Sequence, residues 1–200
     1  MIENTKGRLV AAASDLLDAG GQGAVTLRAV AEIVGVSHNA PYRHFRDRNA
    51  LLAAVAERDF DGLRDAFQAT ADDLREAGPA LRAAAMVLVA YARAHPARYR
   101  LLFSDPGLVS AGGTMEVAAW GAFQTFNAIV ERCGFGDRLE AVETERLTGL
   151  IYATLHGAID LDLGGRARDA KGLGSIEATV DLLLALLART GAPAAAPADR

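Results

Sequence analysis

The chain of 200 residues holds a single cysteine, Cys133. One thiol excludes an internal disulfide framework and a cysteine-based zinc cluster, and it points to a reducing compartment. Cys133 precedes Gly134 near an expected helix end, where the helix dipole disfavours a thiolate, so it reads as a packing residue. Aromatic residues are scarce, at 6%. Ala and Leu carry the apolar content instead, which favours helix over sheet. No convincing stretch alternates apolar and polar residues as a strand would, and no internal repeat is visible. The longest unbroken apolar run, 83–92 between Arg82 and Arg93, is too short to span a bilayer and fits a buried helix. The first residues, MIENTKGRLV, lack a long apolar segment, so no signal peptide is expected. G-x-S-x-G, P-loop, G-x-G-x-x-G and H-E-x-x-H patterns are all missing. The histidines, 38, 44, 95 and 156, are scattered. Neither an enzyme nor a cofactor or metal is expected.

What is present is helical periodicity. Leu9, Ala12, Ala13, Leu16 and Leu17 mark a helix over 6–19, stopped by Gly20-Gly21. Thr26 is the expected cap of a short helix, 27–34, and Gly35 its left-handed end. Ser37 then caps a second short helix reaching Phe45, and Asp47 caps a long one over 47–74. Further helices are expected at 79–94, 96–103, 114–133, 139–163 and 175–190, with Pro79 and Pro96 in first turns where a missing N–H costs little. Residues 104–113 read as a flexible loop. Residues 164–174 combine Gly164, Gly165, Gly172 and Gly174 with the basic cluster Arg166, Arg168 and Lys171. The Ala/Pro-rich tail 191–200 reads as disordered. The expectation is an all-α chain of about nine helices.

The informative stretch is 26–45. Two short helices joined across Gly35-Val36-Ser37 make a helix-turn-helix. The second segment reads His38-Asn39-Ala40-Pro41-Tyr42-Arg43-His44-Phe45. It is rich in hydrogen-bonding groups and has no apolar stripe. A DNA groove would satisfy such a segment; so would water at the surface of any helical hairpin. Pro41 conflicts with a regular helix, because it restrains Ala40 and lacks an N–H, so the first turn is irregular or the helix starts at the proline. The formal net charge of −4 argues, taken whole, against a nucleic-acid binder. By segment it does not. Residues 20–48 carry Arg28, Arg43, Arg46 and Arg48 against Glu32 and Asp47, a net of +2 that leaves −6 on the remainder.

The stretch from Gly7 to Ala56 resembles the N-terminal domain of the TetR family of bacterial transcriptional regulators. The matching residues are Ala11 to Leu17, Gly20, Val25-Thr26-Leu27-Arg28, Val30-Ala31, Gly35-Val36-Ser37, Tyr42-Arg43-His44-Phe45 and Leu51 to Val55. Arg48 stands where the family commonly has lysine. In the C-terminal half, His95-Pro96-Ala97-Arg98-Tyr99 and Leu155-His156-Gly157 resemble the WHG-type regulatory domain of that family, without its tryptophan; Tyr152 is the nearest aromatic.

The resemblance implies a DNA-binding domain at 1–48, a helical regulatory and dimerisation domain at 49–190, and a tail at 191–200. It implies a cytoplasmic homodimer that binds a palindromic double-stranded operator and is released by a small-molecule effector. The DNA-contacting residues would be Thr26, Arg28, Ser37, His38, Asn39, Tyr42, His44 and Arg48. Tyr42, His44, Thr26 and Arg48 would lie near phosphates. Arg28, His38 and Asn39 are candidates for reading bases, Arg suiting guanine and Asn adenine. Equally, Tyr42 could pack inside the head and Arg28 could pair with Glu32.

Helices 139–163 and 175–190 would form the dimer bundle, with Ile176, Val180, Leu183, Leu184 and Leu187 as one seam. Gly149 and Gly157 inside the first suggest close helix approach or a pocket. Tyr99, Phe103, Trp120, Phe123, Asn127, Tyr152 and His156 are the candidate effector-pocket residues. Trp120, Phe123, Phe126 and Asn127 share a helical face that fits core packing as well as a pocket wall. His156 and Asp160 stand one turn apart, too few ligands for a metal but suited to a hydrogen bond. The helix 47–74 would be the lever of a ligand-driven population shift. An activator, a constitutive DNA binder, or a helical interaction protein without DNA binding are the alternatives.

Overall fold

The computed structural model describes residues 5–105, 108, 113–135, 143–167, 172 and 174–189. The tail 191–200, the basic positions Arg168 and Lys171, and most of the expected loop 104–113 lie outside these residues, as does the expected helical stretch 139–142. Among the described residues there are α-helices and 3₁₀ turns and no strand. The α-helices are α1 (Thr5–Gly20), α2 (Leu27–Val34), α3 (Arg48–Asp73), α4 (Ala77–Ala94), α5 (Pro96–Ser104), α6 (Gly113–Arg132), α7 (Thr144–Leu163) and α8 (Ile176–Arg189). No helix among them is long and apolar enough to cross a membrane.

The described chain divides into two compact units, 1–66 with 90–123, and 67–89 with 124–200. Helices α3, α4 and α6 each contribute to both.

In the first unit α1 buries Leu9, Val10, Ala13 and Leu17 and ends where Gly21 turns left-handed, at φ 67°, its N–H on the Leu17 carbonyl at 2.8 Å. Thr26 caps α2 by accepting from the Ala29 N–H at 3.0 Å. Gly35, at φ 74°, closes α2: its N–H reaches the Glu32 carbonyl and the Val36 N–H reaches the Ala31 carbonyl at 3.0 Å. This paired closure satisfies the last carbonyls of the helix and requires a residue that accepts positive φ. The core around these elements holds Val25, Val30, Phe45, Leu51, Leu52 and Val55.

The expected helix 37–45 is corrected. Its place is taken by a turn and a single 3₁₀ turn at Pro41–Arg43; eight of the about nine expected α-helices have their bounds among the described residues. The reason is local. Pro41 cannot donate to the Ser37 carbonyl, so the Ala40 N–H takes it instead, at 2.9 Å. The next bonds, Arg43 N–H to Ala40 and His44 N–H to Pro41, also span three residues, and three-residue spacing is the 3₁₀ pattern. Asp47 then caps α3, its Oδ1 accepting from the Ala50 N–H at 2.8 Å.

The second unit buries Leu81, Ala84, Ala85 and Leu88 of α4, Phe126, Ile129 and Val130 of α6, and Leu147, Ile151, Leu155 and Ile159 of α7. Phe67 meets Phe126 edge-on, with ring centroids 5.5 Å apart. From α8, Ile176, Val180 and Leu187 are buried, while Leu183 and Leu184 are half-buried. The opposite side of α8 presents Leu182, 61% exposed, and Leu186. On α7, Leu150 also faces outward beside Ala153 and Gly157. A Cβ added at Gly149 or Gly157 would meet nothing within 4 Å, so neither glycine answers to a close approach within the chain. Cys133 is half-buried just past the end of α6.

Candidate nucleic-acid interface

The helix-turn-helix lies in the first unit and presents its polar side chains outward. Thr26, Arg28, Ser37, His38, Asn39, Tyr42 and His44 are all exposed. Tyr42 is 60% exposed, so it does not pack inside the head. Arg28, His38 and Asn39 make no side-chain hydrogen bond or ion pair with another described residue, and Arg28 is not paired with Glu32. The 3₁₀ turn fixes where these groups point. Pro41 and Phe45 are buried and anchor its inner side, leaving Tyr42, Arg43 and His44 outward.

Arg48 differs from its neighbours. Its Nε donates to the Val25 carbonyl at 2.8 Å and its Nη2 donates to the Gln22 carbonyl. The guanidinium therefore ties the first turn of α3 to the 3₁₀ turn at Gln22–Ala24 that precedes α2. The residue expected near a phosphate is, in the free protein, spent on backbone.

Two exposed cations, Arg43 and Arg46, count towards the charge of the head but were not among the expected DNA contacts. The Arg43 side chain makes no hydrogen bond or ion pair with another described residue. Arg46 is 86% exposed along its side chain, and its Nε donates to Asp47 Oδ2 at 3.0 Å. The Ala50 N–H first, then the Arg46 charge, hold the Asp47 carboxyl below its usual range. Arg43 lies between Tyr42 and His44 in sequence and Arg46 two residues beyond, which is the signal that could have found them.

The candidate effector residues fall on separate units. In the first, Tyr99 lies 5.1 Å from Phe103 between ring centroids, and Phe103 meets Phe60 edge-on at 5.6 Å. Trp120 stacks on Phe123 at 5.5 Å and is 60% exposed, an outward position. In the second unit, Asn127 Oδ1 accepts from Thr148 Oγ1 at 2.6 Å, and Tyr152 packs on His156 at 4.1 Å. Burial lifts the Tyr152 phenol to about 12 and lowers the His156 imidazole to about 4. The expected His156–Asp160 bond does not form, because exposed Asp160 pairs with Arg166 at 2.6 Å. A cavity of about 640 Å³ in this unit is walled by Pro79, Arg82, Phe135, Leu184 and Ala188, and none of the candidates lines it. Among the described residues no cluster of His, Cys, Asp or Glu could hold a metal ion.

Comparison with known proteins follows the same division of the chain. Residues 9–55 match the family model of bacterial regulatory proteins of the tetR family, and 81–187 match that of the tetracyclin repressor-like C-terminal domain. Among curated proteins no sequence relative is found. A solved structure of a protein of unknown function from Rhodococcus sp. RHA1 is 27% identical, with a TM-score of 0.79, over 95% of this chain and 96% of that one. A TetR transcriptional regulator from the same organism is 18% identical, with a TM-score of 0.62, over 94% and 97%. The regulator PfmR from Thermus thermophilus is 17% identical, with a TM-score of 0.61, over 91% and 97%. With its outward-facing helix-turn-helix and a helical remainder each matched by the corresponding family model, the chain belongs to the TetR family of DNA-binding bacterial transcriptional regulators.

Proposed function

We infer that the protein is a cytoplasmic homodimeric repressor that binds a palindromic operator and is released by a small molecule. The observation that carries the DNA face is the exposed, unengaged set Arg28, His38 and Asn39 beside exposed Tyr42 and His44. A guanidinium and a carboxamide match the major-groove edges of guanine and adenine. Thr26, Ser37, Tyr42 and His44 would contact the backbone, with Arg43 and Arg46 supplying the charge that Arg48 does not. DNA binding falls to residues 1–48 and regulation with dimerisation to 49–190.

The outward apolar faces of α7 and α8 support dimerisation. Leu150, Leu182 and Leu186 are too large and too exposed to be surface decoration on adjoining helices of one unit. Gly149 and Gly157 leave room there for a second copy to approach. Two heads would then meet half-sites about 34–36 Å apart. The effector reading rests on the Tyr152–His156 pair with Asn127, and on Tyr99, Phe103, Trp120 and Phe123 as further candidates. α3, which contributes to both units, is the proposed lever.

The test is selection of duplexes from a random pool by the full chain, followed by anisotropy titration. A palindromic consensus bound in the nanomolar range is expected. Asn39→Ala should then cost about 1–3 kcal/mol at one base position and relax preference there. Failure to enrich any sequence would overturn the assignment.

A further inference from the structure

A charge network in the first unit is built from residues outside the helix-turn-helix: Asp18, Asp59, Tyr91, His95 and Arg98. Its centre is Asp59 on α3, whose side chain is only 3% exposed. Arg98 of α5 grips this carboxylate with both prongs, Nε to Oδ2 at 2.8 Å and Nη2 to Oδ1. The Tyr91 hydroxyl on α4 donates to the same Oδ2 at 2.8 Å. Burial first, then the Asp59 charge, holds the Tyr91 phenol well above its usual range, so it stays a donor. The third nitrogen of Arg98 reaches across to Asp18 on α1, at 3.3 Å, where His95 Nδ1 also arrives at 2.8 Å.

Asp18 stands two residues before the end of α1, where the helix dipole disfavours an anion. It is held there by the Arg98 guanidinium and the His95 ring. A buried carboxylate such as Asp59 needs its cation still more. Arg98 serves both, and so joins α1 to α3 through one guanidinium. The other end of α5 is fastened too: Gln22 Nε2 donates to Asp105 Oδ2 at 2.6 Å, and the Gln22 carbonyl is the one Arg48 holds. At the far end of α1, Arg8 Nη2 donates to the Val34 carbonyl of α2 at 2.8 Å. α2 is thus held on α3 by two routes, directly by Arg48 at its entry and through α1 by Arg8 at its end, and Arg98 of α5 fastens α1.

We propose that Arg98 is a positioning residue for DNA binding: by gripping Asp59 and Asp18 together it fixes α1 on α3, and with α1 the angle of the helix-turn-helix. This rests on the DNA-binding reading above. It makes a prediction of unusual sign. Removing an acidic charge from a head that binds a polyanion should strengthen binding by electrostatics alone. If Asp18 holds the head in its binding pose, removing it weakens binding instead.

The experiment uses the full chain and the duplex it selects from a random pool. Asp18→Asn leaves the Asp59–Arg98 pair intact and so spares the buried charge. Arg98→Lys keeps the cation but loses the fork. Both are expected to stay fully folded by circular dichroism at the assay temperature, and to bind about 5- to 50-fold more weakly. The slope of log affinity against log salt should not change, since no phosphate contact is lost. Asp18→Glu should restore affinity, and the double variant Asp18→Asn/Arg98→Lys should be no weaker than the worse single. If the wild-type chain selects no duplex, the DNA reading itself fails and the proposal with it. If the wild type binds and folded Asp18→Asn binds as well or better, the positioning role alone is overturned.

Discussion

Replacing Arg48 by alanine separates an internal clamp from a phosphate contact. The guanidinium donates to two carbonyls, those of Val25 and Gln22. Hydrogen bonds to charged groups contribute about 1.5–3 kcal/mol each. Val25 is fully buried, so water cannot replace the lost donor at its carbonyl without opening the core, whereas half-buried Gln22 can recover part of its loss from solvent. The net cost of Arg48→Ala is therefore about 3 kcal/mol. With a urea m-value of about 2–3 kcal/mol/M, the unfolding midpoint should fall by about 1 M. Arg48→Lys should recover less than half, since one ammonium does not span two carbonyls as a planar fork does. Urea titration followed by circular dichroism reads the stability, and anisotropy across a salt series reads the contact. A phosphate ligand would behave oppositely: the salt slope would drop by about 0.9 and the midpoint would barely move. That pair of results would refute the clamp.

Gly35→Ala should cost about 1–2 kcal/mol in the same urea titration, because α2 closes through a left-handed residue at φ 74°. Stability should also fall with acid through His156. Its folded pKa, about 4, lies below the roughly 6.5 of an unfolded chain, so the unfolded state takes the proton first and stability present above pH 6.5 is lost towards pH 4. At pH 5 the loss is about 2 kcal/mol at most, and His156→Phe should remove that part of the difference between urea midpoints at about pH 7.5 and 5. Leu182→Asp with Leu186→Asp should leave a monomer in sedimentation velocity at micromolar concentration where the parent is a dimer. A dimer surviving both substitutions would place the interface elsewhere.

Features decided within a few residues were legible in the sequence. Thr26 and Gly35 bound α2 because a cap and a left-handed stop need only local chemistry, and Asp47 begins α3 for the same reason. The 37–45 segment was legible as polar and outward, but its helical form was not. Pro41 denies one bond, and with the Ser37 carbonyl taken by the Ala40 N–H the turn runs in three-residue steps as far as His44. Direction was the larger loss. Arg43, Arg46 and Arg48 are one residue type within a short stretch, yet two face out and one turns in to Gln22 and Val25, a distinction that depends on a turn twenty-odd residues earlier. Trp120 shares a helical face with Phe123, and spacing alone treats an exposed stack and a core alike. Asp59 did leave a trace. It falls one helical turn from both Val55 and Leu63, an acid on a core-facing row, which signals a buried cation partner somewhere in the chain.

The proline within the exposed turn has a thermodynamic consequence. A pyrrolidine ring fixes one backbone angle covalently, and here the ring is also buried beneath the residues it presents. The segment that would enter the groove is thus ordered before it meets a duplex, by its own chemistry and not by contact with DNA. Little chain entropy remains to be lost on association. Calorimetry should then find a heat-capacity change accounted for by the apolar surface that contact removes from water, without the excess that marks folding coupled to binding.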